Sequence, residues 1–135
     1  MPYRTEAKLF QDGDFTSHAG LPLKWKLECD AISPNEWRCI AKMIMDFQTE
    51  PFRAAVGIPR GGAPLGFALN AYATDNPNHK LLICDDVYTT GTSFKEYCEE
   101  HEHTDVYKWV LFSRVQAKDL KYGVRALFTM PGVAQ

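Results

Sequence analysis

The sequence lacks several features that mark common classes of protein. No apolar run approaches the ~20 residues that a membrane-spanning helix requires. Neither charge is in large excess, since 15 basic and 17 acidic side chains give a net charge of −2, which argues against a nucleic-acid or membrane partner. The opening residues, MPYRTEAKLF, contain no apolar signal-peptide core. We therefore expect a cytoplasmic protein with no nucleic-acid and no membrane partner.

Cysteine is scarce, and no two cysteines stand at CxxC spacing. Cys84 lies in an apolar run and Cys39 and Cys98 lie in predicted helices, while Cys29 precedes them. This distribution indicates reduced thiols, most simply small core residues. There is also no internal repeat and no interdomain linker, so the 135 residues predict one domain with a core of its own.

Alternating helix and strand signals predict the fold class. Ser33 and Glu36 form a capping-box pattern around Pro34, and the apolar spacing that follows predicts a helix over 34–47. Residues 1–32 show no regular helix pattern, and we expect them to be irregular. Apolar runs predict strands at 53–58, 80–84, 106–112 and 124–129, with helices at 65–73 and 93–101. This order predicts right-handed crossovers in a three-layer α/β domain, with a mainly parallel sheet of four or five strands.

Charged and small polar residues directly follow three of the predicted strands. The ends carry Pro59-Arg60-Gly61-Gly62, then Asp85-Asp86, then Ser113-Arg114. Ligands of such sheets bind beyond the carboxyl ends of the strands, so we expect these groups to share one site.

The run from 81 to 93, LLICDDVYTTGTS, holds the strongest signal. Gly91 permits a tight turn into a helix, and free amides at that turn favour an anion. Four neighbouring hydroxyl residues suit a phosphate monoester; they are Thr89, Thr90, Thr92 and Ser93. Asp85 and Asp86 would repel a phosphate, so sugar hydroxyls or Mg²⁺ are their suitable neighbours. The alternative is an N-capped helix that follows solvated acids.

This run resembles the ribose-phosphate signature of type I phosphoribosyltransferases, except at Tyr88, where the family usually has an aliphatic residue. The resemblance implies that residues 89–93, with Gly91 among them, bind the 5-phosphate of 5-phosphoribosyl 1-diphosphate (PRPP). It also implies that Asp85 and Asp86 hold the ribose hydroxyls and act, indirectly, on Mg²⁺.

The run from 56 to 62 resembles the pyrophosphate loop of the same family, which implies that Pro59, Arg60, Gly61 and Gly62 bind pyrophosphate. Arg60 matches the basic position of that loop. In this family the peptide bond that leads into the basic residue is often cis, which here is Pro59–Arg60. The alternative for residues 60–62 is an ordinary surface turn.

Two weaker similarities point to the orotate branch of the family. Residues 15–20, FTSHAG, resemble the start of orotate phosphoribosyltransferases, which implies a small N-terminal hood over 1–32 and a core over 33–135. Arg114 matches an arginine that faces the base. Pro22 stands where the base-binding lysine is expected, so Lys24 and Lys26 are the remaining candidates. The alternative for Arg114 is a surface arginine.

The resemblance implies an Mg²⁺-dependent transfer of the phosphoribosyl group from PRPP to a nucleobase, with release of pyrophosphate. It is compatible with a homodimer. The family's mobile cationic lid has no counterpart, because only residues 74–80 separate the second helix from the next strand. A catalytically weak PRPP- or nucleotide-binding regulatory protein is the main alternative, and an unrelated anion-binding domain is a third.

Overall fold

The computed structural model describes residues 9–16 and 22–130, and its elements form a hairpin and an α/β unit. The hairpin pairs β1 (Phe10–Thr16) with β2 (Pro22–Leu27) in antiparallel orientation. Four parallel strands form the main sheet in the order β3-β4-β5-β6; they are β3 (Phe52–Gly57), β4 (Lys80–Tyr88), β5 (Tyr107–Ser113) and β6 (Val124–Thr129). Three α-helices accompany them: α1 (Pro34–Met45), α2 (Ala63–Leu69) and α3 (Thr92–Glu100). The predicted α/β class and four-stranded parallel sheet are confirmed.

The first helix begins where its capping sequence predicts. The Ser33 amide donates to Glu36 Oε1 at 2.7 Å, and the Glu36 amide donates to Ser33 Oγ at 3.2 Å. These reciprocal bonds satisfy amides that the first turn leaves without intrahelical partners. Trp37, Ala41 and Ile44 form the buried face of α1.

Two hydrophobic clusters cover the two faces of the sheet and produce three layers. Helices α1 and α2 pack with one cluster, to which β4 contributes Leu82 and Cys84. Helix α3 packs with the other, to which β4 contributes Ile83. Because successive residues of a strand point to opposite faces, α2 and α3 lie on opposite sides of the sheet.

This arrangement corrects the expectation that both crossovers are right-handed. The connections β3-α2-β4 and β4-α3-β5 step in the same direction across the sheet. Since their helices lie on opposite faces, the two connections have opposite hands and one of them is left-handed. Such a crossover is rare among parallel strands.

Two other expectations need correction. The segment over 1–32, expected to be irregular, contains the β1–β2 hairpin. The strand expected to end at Cys84 continues to Tyr88, so Asp85 and Asp86 lie inside β4. In the part of the chain that the structure describes, no helix is long and apolar enough to cross a membrane. Cys29, Cys39, Cys84 and Cys98 are all free thiols, and all but Cys39 are buried.

Candidate functional site

The carboxyl edge of the parallel sheet brings the three predicted strand ends together. The Ile58 amide donates to Cys84 O at 2.8 Å and joins the end of β3 to β4. The Arg114 amide donates to Tyr88 O at 2.9 Å and joins the end of β5 to β4 from the other side. The groups that follow β3 and β5 therefore flank the acidic end of β4.

The pyrophosphate loop, which we define as residues 59–62, lies against the acid pair. A β-carbon placed on Gly61 would be 2.3 Å from Asp86 Oδ2, and one placed on Gly62 would be 2.6 Å from Cys84 O. Both separations are far below van der Waals contact. A β-carbon at Gly62 would collide with backbone atoms, whereas one at Gly61 would force the Asp86 side chain to move. The Gly62 amide donates to Ile58 O at 2.9 Å and closes the loop.

Arg60 projects from this loop on the solvent side. The Pro59–Arg60 peptide bond is cis, as the family resemblance implies. The Arg60 side chain is exposed. A cation thus lies within the same loop as Gly61, whose backbone contacts the Asp86 carboxylate.

The acid pair is partly withdrawn from solvent, because Asp85 is buried and Asp86 is half-buried. Asp85 is only 7% exposed. Its Oδ1 accepts the Asp86 amide at 2.9 Å, and Asp86 Oδ1 accepts the Val87 amide at 2.8 Å. Burial, and then the charge of Asp86, raise the pKa of the Asp85 carboxyl to about 8. The alternative of solvated surface acids does not fit Asp85, whereas the half-buried Asp86 keeps access to solvent.

Asp85 and Asp86 have the oxygen chemistry that Mg²⁺ prefers, although they do not form a complete metal site. Among residues 9–16 and 22–130, no group of three or more potential metal-binding side chains converges. Mg²⁺ commonly binds one or two carboxylates while substrate phosphates and water complete its shell. The acid pair therefore fits an ion that arrives with a phosphorylated ligand.

Cys29 is a neighbour of the acid pair that the sequence did not indicate. It lies in the 3₁₀ turn Cys29–Ala31, between the hairpin and α1, and it is buried. Burial, and then the nearby Asp86 carboxylate, raise the pKa of the Cys29 thiol well above its ordinary value. The chain distance between residues 29 and 86 explains why no local pattern revealed this contact.

The phosphate turn, which we define as residues 89–93, is a bent segment that leads into α3. Gly91 has φ 86° and is the N-cap residue of the helix. Because glycine has no side chain, the N-cap position supplies no side-chain hydrogen bond to the first amides of the helix. Within the turn, Thr90 Oγ1 lies 2.8 Å from Thr92 Oγ1 and accepts the Thr92 amide at 3.3 Å. The amides of Gly91 and Ser93 have no hydrogen-bond acceptor in the described part of the chain. The turn thus presents backbone donors at a helix N-terminus. An ordinary capped helix shares this geometry, so binding of an anion here stays a prediction.

The base-facing candidates are only partly described. Arg114 is 4% exposed at the end of β5, so the alternative of a surface arginine does not fit. Lys24 and Lys26 belong to β2, but their side chains lie outside the described residues. Whether these three residues face a base stays a prediction.

The short connection between α2 and β4 lies at the opposite edge of the sheet. The Thr74 amide donates to Phe52 O at 2.9 Å, and the Asp75 amide donates to Arg53 O at 3.2 Å. Phe52 and Arg53 begin β3, so this connection is at the amino edge. It is therefore separated from the acid pair by the length of the strands.

Comparison with solved structures identifies the fold. The orotate phosphoribosyltransferase of Aeropyrum pernix matches with a TM-score of 0.69 and 18% identity over 90% of this chain and 88% of that one. The UMP synthase of Leishmania donovani matches with a TM-score of 0.73 and 17% identity over 90% of this chain and 34% of that one. The orotate phosphoribosyltransferase of Mycobacterium tuberculosis H37Rv, in complex with PRPP, matches with a TM-score of 0.59 and 14% identity over 77% of this chain and 80% of that one.

Sequence comparison alone finds no such similarity. No protein-family model matches the chain, and no curated protein matches it. The structural matches span most of the chain and agree with the motifs at 56–62 and 81–93. The chain therefore has the fold of the type I phosphoribosyltransferases.

Proposed function

We propose that this protein transfers the phosphoribosyl group of PRPP to a nitrogen of a nucleobase and releases pyrophosphate. One observation carries the proposal: the pyrophosphate loop and the phosphate turn flank the acid pair at one edge of the sheet, and Gly61 approaches Asp86 so closely that a β-carbon would lie 2.3 Å from its Oδ2. A ligand with a phosphate at one end, a diphosphate at the other and a ribose between them matches this order. The similar M. tuberculosis enzyme in complex with PRPP supports the choice.

Each part of the site has a distinct task in this reaction. The bond between the ribose C1 and the diphosphate oxygen breaks, and the diphosphate leaves with the electron pair. The bond from C1 to the base nitrogen forms, and the proton that this nitrogen carried passes to the departing diphosphate or to water. Arg60 would neutralise charge on the departing diphosphate. Asp85 and Asp86 would hold the ribose hydroxyls and favour positive charge on the ring, while the phosphate turn would fix the 5-phosphate and so orient C1.

Mg²⁺ is the proposed cofactor, held indirectly through Asp85 and Asp86 by the ribose or by water. When bound, it would add positive charge at the diphosphate. The raised pKa of Asp85 means that a bound cation competes with a proton. We retain Arg114, Lys24 and Lys26 as base-facing candidates and a homodimer as the proposed assembly.

A second candidate function is a PRPP- or nucleotide-binding regulatory protein with little turnover. The position of the short connection favours it: Thr74 is bonded to Phe52 at the amino edge. A seven-residue segment at that edge cannot close over the carboxyl edge, and closure normally excludes water and completes such sites. In this case the acid pair and both loops would bind ligand without the cations that accelerate departure of the diphosphate.

Calorimetry and turnover measurements on the same preparation separate these functions. PRPP should bind in the presence of Mg²⁺, and a panel of bases should reveal pyrophosphate release with at least one base if the protein is an enzyme. Binding without release for every base would favour the regulatory function. The double variant Asp85→Asn/Asp86→Asn should lose at least ~100-fold in affinity, since both carboxyl groups proposed to hold the ribose hydroxyls are replaced.

Asp46→Asn is the matched control, because Asp46 is exposed at the end of α1. Absence of PRPP binding by the wild-type protein would overturn both functions. Unchanged affinity in the double variant would return the acids to a structural role.

A further inference from the structure

Tyr88 departs from the family pattern in the 81–93 run, and the structure gives its hydroxyl two partners. The side chain is 2% exposed and packs in the cluster beneath α3. Its Oη accepts the Lys121 amide at 2.9 Å and, as a longer contact, donates to Thr90 O at 3.4 Å. One buried hydroxyl therefore links the phosphate turn to the β5–β6 connection, which we define as residues 114–123.

The β5–β6 connection is also held from its other side. Lys108 Nζ donates to the Tyr122 carbonyl oxygen at 2.7 Å. Tyr122 has φ 63°, an uncommon conformation for a residue with a side chain. The connection is thus anchored at two consecutive residues, by a buried hydroxyl at Lys121 and by an ammonium group at Tyr122.

Both tyrosines enclose the glycine of the phosphate turn. A β-carbon placed on Gly91 would lie 2.8 Å from Tyr88 Oη and 2.9 Å from the Tyr122 ring. The path of the turn therefore depends on where these two side chains lie. Loss of the hydroxyl would leave the Lys121 amide without this acceptor, which is costly where water cannot replace it.

We propose that Tyr88 is a positioning residue of the 5-phosphate subsite. Its hydroxyl ties the phosphate turn to the β5–β6 connection and so sets the direction of the amides at Gly91 and Ser93. This inference rests on the proposed function, because it takes residues 89–93 as the phosphate subsite. It assigns a role to the tyrosine hydroxyl that an aliphatic residue at this position could not perform.

Tyr88→Phe tests the proposal, because it keeps the buried ring and removes the hydroxyl. Calorimetry should show ribose 5-phosphate binding weakened about 3–10-fold, as expected for the loss of one or two hydrogen bonds. Pyrophosphate affinity should stay within about twofold, a split that a general loss of stability would not produce. Tyr72→Phe, at an exposed tyrosine near the amino edge, is the matched control and should change neither affinity.

Hydrogen exchange of the Lys121 amide supplies a readout that needs no ligand, and it should be faster in Tyr88→Phe than in the wild type. Equal exchange, or equal ribose 5-phosphate affinity, would overturn the positioning role and leave the proposed function intact. A wild-type protein that binds neither ribose 5-phosphate nor PRPP would instead overturn the proposed function.

If Tyr88→Phe does not fold, Lys108→Met tests the same link from the exposed side. It should weaken ribose 5-phosphate binding about 2–5-fold by releasing Tyr122, with Lys42→Met in α1 as the control for lost charge. Equal effects of the two lysine variants would contradict the proposal.

Discussion

The pyrophosphate loop and the phosphate turn lie at the same edge of the sheet but are built differently. In the pyrophosphate loop, Gly61 lets the backbone lie close to the Asp86 carboxylate, and the charged side chain of Arg60 is exposed to solvent. The phosphate turn itself contains no basic residue. Its glycine is enclosed by Tyr88 and Tyr122, and the glycine amide has no hydrogen-bond acceptor among the described residues. The pyrophosphate loop offers a positive charge on an exposed side chain, and the phosphate turn offers oriented backbone donors.

In the proposed function, the two loops would therefore recognise the two ends of one ligand by separate physical means. A diphosphate carries more charge than a phosphate monoester and changes during the proposed reaction, so a side-chain cation suits it. A 5-phosphate stays unchanged and serves as an anchor, for which a fixed backbone is sufficient. Substitutions that remove charge and substitutions that distort backbone should therefore act on different ligands.

Among single variants in the two loops, Arg60→Ala should produce the largest effect, and it should act on the diphosphate alone. We expect pyrophosphate and PRPP affinity to fall about 10–100-fold, the range for a lost hydrogen bond to a charged group, and base-dependent turnover to be nearly abolished. Ribose 5-phosphate affinity should stay within about twofold, because the phosphate turn is untouched. Calorimetry with the two ligands, together with pyrophosphate release, measures the split.

Arg53→Ala is the control for this prediction, since Arg53 is an exposed arginine at the amino end of β3. It removes the same charge at the other edge of the sheet. If Arg53→Ala and Arg60→Ala weaken pyrophosphate equally, overall charge explains the effect and the loop has no special role. Wild-type turnover in Arg60→Ala would mean that another cation serves the diphosphate.

Gly91→Ala should show the reverse pattern, with a somewhat smaller effect. A β-carbon at this position combines φ 86° with contacts of 2.8 Å to Tyr88 and 2.9 Å to Tyr122, so the turn must move. Ribose 5-phosphate affinity should fall about tenfold or more while pyrophosphate affinity changes little, given the tenfold change expected for each ~1.4 kcal/mol. Titration of both ligands into the same variant decides the outcome.

Gly123→Ala separates backbone strain from crowding. Gly123 also has a positive φ, of 75°, but a β-carbon there would contact nothing within 4 Å. We expect a loss of about 1 kcal/mol in the free energy of unfolding, the usual cost of a left-handed residue, with unchanged ligand affinity. Weakened ribose 5-phosphate binding in this variant would show that strain, rather than the two tyrosines, governs the turn.

The sequence predicts those parts of the site that are formed by residues close together in the chain. Asp85, Asp86 and the turn around Gly91 are contiguous, and their residue types already specify a strand, a tight turn and a helix N-terminus. The capping box at Ser33 and Glu36 is equally local and is confirmed by its hydrogen bonds. The expected Pro59–Arg60 cis bond came from the family resemblance alone.

Contacts between distant residues could not be predicted in this way. Lys121 follows Tyr88 by 33 positions, and nothing in either local sequence indicates their hydrogen bond. The opposite hands of the two crossovers also depend on which face each helix covers. The hairpin was a missed local signal, because Leu23, Trp25 and Leu27 alternate with lysines, a pattern typical of a strand.

The smallest expected effect concerns the acid pair between the two loops, and it is a change in the pH dependence of protein stability. Burial raises the pKa of Asp85 to about 8, whereas an unfolded aspartate titrates near the ordinary value of 3.8. Between these values the unfolded chain has released a proton that the folded chain retains. The free energy of unfolding should therefore fall as pH rises from about 4 to about 8. The raised thiol pKa values of Cys29 and Cys84 lie above this window and contribute nothing to the slope.

Asp85→Asn removes this titrating group while it keeps the shape of the side chain. Urea unfolding should be measured at about pH 5, pH 6.5 and pH 8. The free energy of unfolding should depend less on pH in the variant, so that the stability of the variant relative to the wild type improves as pH rises. Asp46→Asn, at an exposed aspartate, should leave the slope unchanged. Parallel curves for Asp85→Asn and the wild type would mean that Asp85 is ionised in the folded protein at neutral pH. The ionised Asp85 would then add negative charge between the two loops, and a cation such as Mg²⁺ would have to offset it when an anionic ligand binds.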